Sequence, residues 1–136
     1  MILRYFSNIL FLTLCLSIFA FGDAVKNGSF QASSDGINVS LRWVTEDEAN
    51  IAHFEIERRA GVEGNFVSIG TIDPKGASMY EFVDYSAFRK TTTIYQYRIK
   101  VTFTNGTAPL YIGPLTVNHT VSGVRRTWGS IKAMFR

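Results

Sequence analysis

The stretch YQYRIKVTF, residues 95–103, carries the strongest structural signal in this chain of 136 residues. Apolar or aromatic side chains occupy every second position from Tyr95 to Phe103, and polar or charged side chains fill the positions between them. Because successive side chains of a β-strand point to opposite faces, this period of two predicts a strand with one buried face. We therefore expect Tyr95, Tyr97 and Ile99 to lie in a core.

The same alternation recurs on the N-terminal side of this stretch. It runs through residues 37–43, where Trp43 lies on the apolar face, and it returns in shorter segments that follow. Turn-forming residues separate the segments at 61–65, at 73–76 and at 105–106. Short strands at such regular spacing predict an all-β sandwich of about seven antiparallel strands. The predicted core consists of the large apolar side chains on these strands, namely Trp43, Phe54, Ile56, Tyr80, Phe82, Tyr95, Tyr97 and Ile99.

Two details refine the predicted strands. Phe66 and Ile69 are assigned together to the apolar pattern of one short strand. Pro109 and Pro114 fall in the region of the last strand. Because proline has no backbone N–H to donate to a neighbouring strand, the two prolines indicate that this strand lies at the edge of its sheet.

Trp43 in the second predicted strand and the tyrosines of the sixth resemble the pattern of fibronectin type III domains. In that fold a tryptophan and a tyrosine hold two sheets together, and a tyrosine hydroxyl such as that of Tyr95 bonds to nearby backbone. A closer resemblance is to the small fibronectin-like domains of exported proteins in bacteria with type IX secretion. It covers residues 39–111 and includes Leu41, Trp43, Thr45, Glu48, Asn50, Phe54, Ile56, Glu57, Arg58, Phe66, Ile69, Gly70, Tyr80, Phe82, Asp84, Tyr97, Arg98, Ile99, Lys100, Asn105 and Gly106.

This resemblance implies a single immunoglobulin-like, fibronectin type III sandwich over residues 23–122. It also implies a spacer, adhesion or carbohydrate-associated module, without a catalytic role that could be assigned to particular residues. The resemblance ends before the segment RRTWGSIKAMFR, residues 125–136, where proteins of that group often carry a sorting domain.

The first 22 residues are typical of a secretory signal peptide. Arg4 supplies a positively charged start, and an apolar run of 13 residues follows from Ile9 to Phe21. Small residues precede Asp23, so cleavage before Asp23 or after Ala24 is expected, with the product periplasmic, at the cell surface or secreted. The single cysteine, Cys15, lies inside the run, so the processed chain is expected to have no thiol and no disulfide.

The C-terminal segment 123–136 differs from the predicted sandwich in charge. From Asp23 to Val124 the sequence has 9 Lys plus Arg and 11 Asp plus Glu, whereas four cations and no acid follow. The candidate interaction residues of this tail are Arg125, Arg126, Trp128, Lys132, Phe135 and Arg136. In one interpretation they bind an anionic membrane surface. In a second, Trp128 and its apolar neighbours fold back and cover an open sheet edge. In a third, the tail is a sorting signal that a receptor recognises.

Candidate reactive residues are few. Three consecutive carboxylates, Glu46–Glu48, could bind calcium on a loop, but a hydrogen-bonded, solvated turn is the simpler interpretation. His53 and His119, the two histidines, are expected at the surface. Glu55 and Glu57 share one strand face, which we interpret as a solvated face and not as a pair of catalytic acids. We therefore expect no metal, no cofactor and no enzymatic activity.

The function expected from these observations is that of an exported, non-catalytic binding or adhesion module for a protein or glycan. The alternative is a structural envelope protein that attaches peripherally through its basic tail. Nucleic-acid binding is not expected, because the cations assigned to the outside of the strands, Arg42, Arg58, Arg98 and Lys100, are matched by nearby acids.

Overall fold

The computed structural model describes residues 23–87 and 94–120, and within them the chain is all-β. Seven antiparallel strands form two open sheets, arranged in a sandwich-like manner. The strands are β1 (Gln31–Ser34), β2 (Val39–Val44), β3 (Ile51–Ala60), β4 (Val67–Ile72), β5 (Met79–Asp84), β6 (Ile94–Phe103) and β7 (Leu110–Asn118). The predicted signal peptide and the six tail residues lie outside the described residues.

The seven strands divide into a three-stranded and a four-stranded sheet. The order is β1-β2-β5 in the first sheet and β4-β3-β6-β7 in the second. Trp43 of β2 pairs with Tyr80 of β5, and Phe54 of β3 pairs with Val101 of β6. The central strands therefore direct their largest apolar side chains into the space between the sheets.

The strand predicted from residues 95–103 is confirmed as β6. Its side chains alternate in burial, with Tyr95, Tyr97, Ile99 and Val101 buried and the residues between them only partly so. Seven of the eight residues of the predicted core are buried, while Phe82 is partly buried and packs against the core.

Aromatic rings form the centre of the core. The Trp43 ring stacks on Tyr80 with 5.4 Å between ring centroids, and Phe54 meets Trp43 edge-on at 5.9 Å. Tyr95 on β6 belongs to the same core, and its hydroxyl donates a hydrogen bond of 3.1 Å to the carbonyl of Ala87. The buried hydroxyl is thereby satisfied by nearby backbone, which avoids the cost of an unpaired polar group.

The turns and the last strand follow from local chemistry. Asn105 and Gly106 lie in the connection that joins β6 to β7, and Gly106 adopts a positive φ of 77°, which glycine accepts without steric cost. The predicted edge position of the strand with Pro114 is confirmed, because β7 is the last strand of the four-stranded sheet. The missing N–H of proline therefore need not break a ladder in the sheet interior.

Candidate interaction surface

Ordered rows of side chains cross the outer face of the four-stranded sheet. We define this outer face by the side chains that point away from the core on β3, β6 and β7, together with Phe66 beside β4. Its members are Glu55, Glu57, Arg59, Phe66, Gln96, Arg98, Lys100, Tyr111 and Thr116. Because strands in a sheet are about 4.8 Å apart, side chains at matching positions on neighbouring strands are in direct reach of one another.

The central row of the outer face is a stack of cations and aromatic rings. The Arg98 guanidinium carbon lies 4.1 Å from the centre of the Phe66 ring and 4.3 Å from that of Tyr111. Its Nε donates a hydrogen bond to the Glu57 carboxylate, and the guanidinium of Arg59 lies 4.6 Å from the centre of the Phe66 ring. A guanidinium held between two rings and a carboxylate has few alternative rotamers.

Two further rows flank this stack. On one side, Arg59 Nε donates to Gln96 Oε1 at 2.8 Å, and Gln96 Nε2 donates to Thr116 Oγ1 at 3.0 Å. On the other side, Lys100 Nζ lies 3.6 Å from a carboxylate oxygen of Glu55. A partner that binds here would therefore meet side chains that are already ordered, and it would lose less conformational entropy than at a surface of mobile side chains.

The structure places several residues differently from the sequence-based expectations. Phe66 was predicted to share an apolar pattern with Ile69, yet it stacks on the outer face while Ile69 packs against the core. The two residues are three positions apart, so the strict alternation of a strand already places them on opposite faces. Glu57 was expected on a solvated face, yet it is buried because Arg98 and its stacked neighbours cover it.

Arg58 was assigned to the outside, and that prediction is wrong. Its Nη1 donates to Asp84 Oδ2 at 2.6 Å and to Ser86 Oγ at 2.8 Å, inside the sandwich. The Tyr97 hydroxyl donates to the same Asp84 oxygen at 2.8 Å. Strict alternation already places Arg58 on the face of Phe54 and Ile56, so the sequence contained this signal.

Asp84 is the centre of an interior network that joins the two sheets. Burial alone would raise the pKa of Asp84, but hydrogen bonds from Ser86, Tyr97 and Arg58 outweigh burial and hold that pKa below its usual range. Burial and the hydrogen bond to Asp84 raise the pKa of Tyr97 well above that of a free tyrosine. The network therefore holds the Asp84 carboxylate, the Arg58 guanidinium and the neutral Tyr97 phenol together. We interpret its role as structural, because it joins the two sheets.

The carboxylates of Glu46–Glu48 do not converge on one point. Glu48 Oε1 accepts hydrogen bonds from Thr45 Oγ1 at 2.8 Å and from the Tyr80 hydroxyl, and Oε2 accepts from the Gly76 N–H at 2.6 Å. Asp47 Oδ1 accepts from the Ala49 N–H at 2.9 Å. Among residues 23–87 and 94–120, no group of three potential metal ligands is assembled. Glu48 thus fastens the loops at this end of the sandwich.

His119 was expected at the surface, and that prediction is wrong because its side chain is fully buried. Its Nδ1 lies 2.6 Å from Ser34 Oγ, which also accepts a hydrogen bond from the Gly36 N–H. The ring packs 6.0 Å from that of Tyr95. The position continues the inward face of β7 two residues after Val117, so the alternation accounts for its burial. His53 is partly buried.

The Ser34 and His119 pair does not have the arrangement of a nucleophile and its base. In the part of the chain that the structure describes, His119 Nε2 has no hydrogen-bond partner, and the His119 ring is fully buried between the ends of β1 and β7, whereas Ser34 is partly buried. A general base needs access to the substrate proton. We interpret the pair as a link between the two sheets.

No protein-family model matches this chain, and no curated protein matches it at a significant level. In the described part of the chain, no helix has the length and apolar character needed to cross a bilayer.

Proposed function

We propose that this chain is an exported, non-catalytic binding module of the fibronectin type III kind, which contacts a partner protein through the outer face of its four-stranded sheet. The observation that carries the proposal is the stack in which Arg98 lies between Phe66 and Tyr111. Tyr111 remains 47% exposed, so this ordered stack is open to a partner.

The composition of the outer face favours a protein partner. Arginine and the aromatic residues are enriched at the energetic centres of protein interfaces, where ordered side chains surrounded by polar ones contribute most. A sugar would need an open ring face to stack on, but the guanidinium groups of Arg59 and Arg98 already lie against Phe66. Tyr111 alone offers little area for a glycan.

The fibronectin type III assignment draws support from the division into β1-β2-β5 and β4-β3-β6-β7, and from the buried Trp43 and Tyr95. Export draws its support from the apolar run Ile9–Phe21 after Arg4.

The test compares two exposed tyrosines, one inside the stack and one outside it. Tyr111→Ala removes the exposed end of the stack, whereas Tyr85→Ala removes a tyrosine that is 68% exposed in the turn after β5. Partners captured by the unmodified protein from the envelope fraction would be identified, and each affinity would then be measured by titration calorimetry with all three proteins. We expect Tyr111→Ala to weaken binding at least about tenfold.

The Tyr85→Ala protein should bind like the unmodified protein. Melting temperatures of the three proteins serve as a folding control, since Tyr111 lies outside the core. Equal affinities of the Tyr111→Ala and unmodified proteins for every partner would contradict the use of this face.

A further inference from the structure

An apolar groove opens between the N-terminal segment and the beginning of β7. Its volume is about 400 Å³. The apolar residues that line it are Ala24, Val25, Phe30, Leu110, Ile112 and Leu115. Asp23 and Lys26 lie at its polar margin. Ligand-binding pockets commonly have volumes in this range, so the groove has room for several large side chains.

The groove lies on the side of the sandwich where the edges of the two sheets meet. The edge strands β1 and β7 belong to different sheets and lie side by side. Ser34 and His119 link them at the end of β7. At the beginning of β7, Leu110 pairs with the fully buried Val101 yet remains 40% exposed. An inward-facing leucine that stays accessible indicates a missing apolar cover.

We propose that the chain's own C-terminal segment 123–136 docks in this groove, with Trp128, Ile131 and Phe135 as its apolar contacts. This inference is independent of the proposed partner on the outer face. It commits to one of the three interpretations of the basic tail, and it is supported by the composition, the charge and the reach of the segment.

Composition and charge are complementary between the groove and the segment. The segment offers three large apolar side chains for an apolar groove, and it has four cations and no acid. The groove margin carries the Asp23 carboxylate, and the backbone of two further acids, Asp47 and its neighbour Glu46, is near it, because the Asp47 N–H donates to the Asp23 carbonyl at 3.2 Å. Within residues 23–87 and 94–120, Lys26 is the cation that lines the groove.

The distance along the sheet is also within reach. Eight residues separate Ile112 from Thr120, where the described part of the chain ends, which is about 26 Å along an extended strand. Eleven residues separate Thr120 from Ile131 and span up to about 36 Å. The segment can therefore run back beside β7 and place Ile131 and Phe135 at the groove.

Engineered cysteine pairs in the chain from Asp23 to Arg136, which contains no native cysteine, test this docking. The first pair is Asn27→Cys with Ala133→Cys, since Asn27 is exposed at the groove. The matched control is Glu63→Cys with Ala133→Cys. Glu63 lies in the loop after β3. In that loop the Gly61 N–H donates to the carbonyl of Ile94, and Ile94 pairs with Asn118 at the end of β7. Glu63 is therefore near the point where the C-terminal segment begins.

A docked segment should form the intramolecular disulfide to position 27 at least about tenfold faster than to position 63 under mild oxidation. An undocked segment should reach position 63 as fast or faster, because that position is closer to Thr120. Equal or reversed rates would therefore overturn the proposal, and so would disulfides formed only between molecules. The rates are read as monomeric and dimeric bands on non-reducing gels.

Fluorescence quenching gives a second measurement on the full chain. The sequence has two tryptophans, and Trp43 is fully buried, so acrylamide quenching reports chiefly on Trp128. Docking predicts that both tryptophans are shielded, that Leu110→Asp exposes Trp128, and that Met79→Asp at an exposed site on β5 does not. Ready quenching of Trp128 in the unmodified protein would overturn the proposal. Salt-sensitive binding of the unmodified protein to anionic phosphatidylglycerol vesicles, together with slow cross-linking to position 27, would also overturn the proposal. It would show that the segment binds a membrane surface instead of the groove.

Discussion

At the scale of single residues, Asp84 decides how the interior polar groups are arranged. It extends from β5 in one sheet and accepts hydrogen bonds from Arg58 and Tyr97 in the other. Its side chain is only 3% exposed and that of Arg58 13%, so both charges are largely removed from water. Such a pair contributes little net stability compared with apolar residues, but loss of one partner leaves a buried charge without compensation.

The network predicts a loss of stability in acid. The pKa values of Asp84 and Glu48 are lowered in the folded protein, chiefly because hydrogen bonds to each carboxylate outweigh the effect of burial. Their contribution is therefore complete above the unfolded-state values near pH 4 and is lost as the pH falls through the lower folded-state values. Urea unfolding from pH 7 to pH 2 should show a free energy of unfolding that declines below about pH 4 to 5.

Asp84→Asn with Glu48→Gln provides the matched comparison, because neither amide titrates in this range. The decline in acid should be shallower in this double variant than in the unmodified protein, although its stability at pH 7 should be lower. An identical slope in both proteins would show that other carboxylates cause the acid sensitivity.

At the scale of elements, the alternating pattern predicted β2 and β6 well because each has one face in the core. It predicted the outer face poorly, because the stack of Phe66, Arg98 and Tyr111 joins side chains from three places in the sequence. Only the register between β6 and β7, and the shifted register of β4 on β3, brings them together. A single sequence shows which face a residue occupies, but it does not show its neighbour on the next strand.

The packing of β2 against β3 and β5 predicts the cost of a core truncation. Trp43 is fully buried between Tyr80 and Phe54, so Trp43→Ala leaves a large cavity and should lower the free energy of unfolding by about 3 to 5 kcal/mol. Met79→Ala on β5 is the control, since Met79 is 60% exposed and should cost less than about 0.5 kcal/mol. A Trp43→Ala cost below about 1 kcal/mol in urea unfolding would contradict this packing.

At the scale of the whole molecule, composition and turn spacing were sufficient to predict the all-β class and the number of strands. The closed end and the groove could not be predicted. They depend on how the edges of two separate sheets meet, and on a histidine whose burial was visible only as a continuation of the pattern of β7. Asp23 and Val25 fasten the N-terminal segment to the region after β2, because the Asp23 carbonyl accepts a hydrogen bond from the Asp47 N–H and Val25 bridges Thr45.

The proposed export predicts the residue at which the processed chain begins. When the full sequence is expressed in a bacterium with its own first 22 residues, mass spectrometry of the exported product should show Asp23 at the N-terminus. Cleavage there retains Asp23, which lines the groove. Cleavage after Ala24 would remove Asp23, whose carbonyl bonds to the Asp47 N–H. Recovery of the intact chain, with Arg4 and Cys15 still present, would instead indicate an uncleaved anchor and contradict the proposed export of a free module.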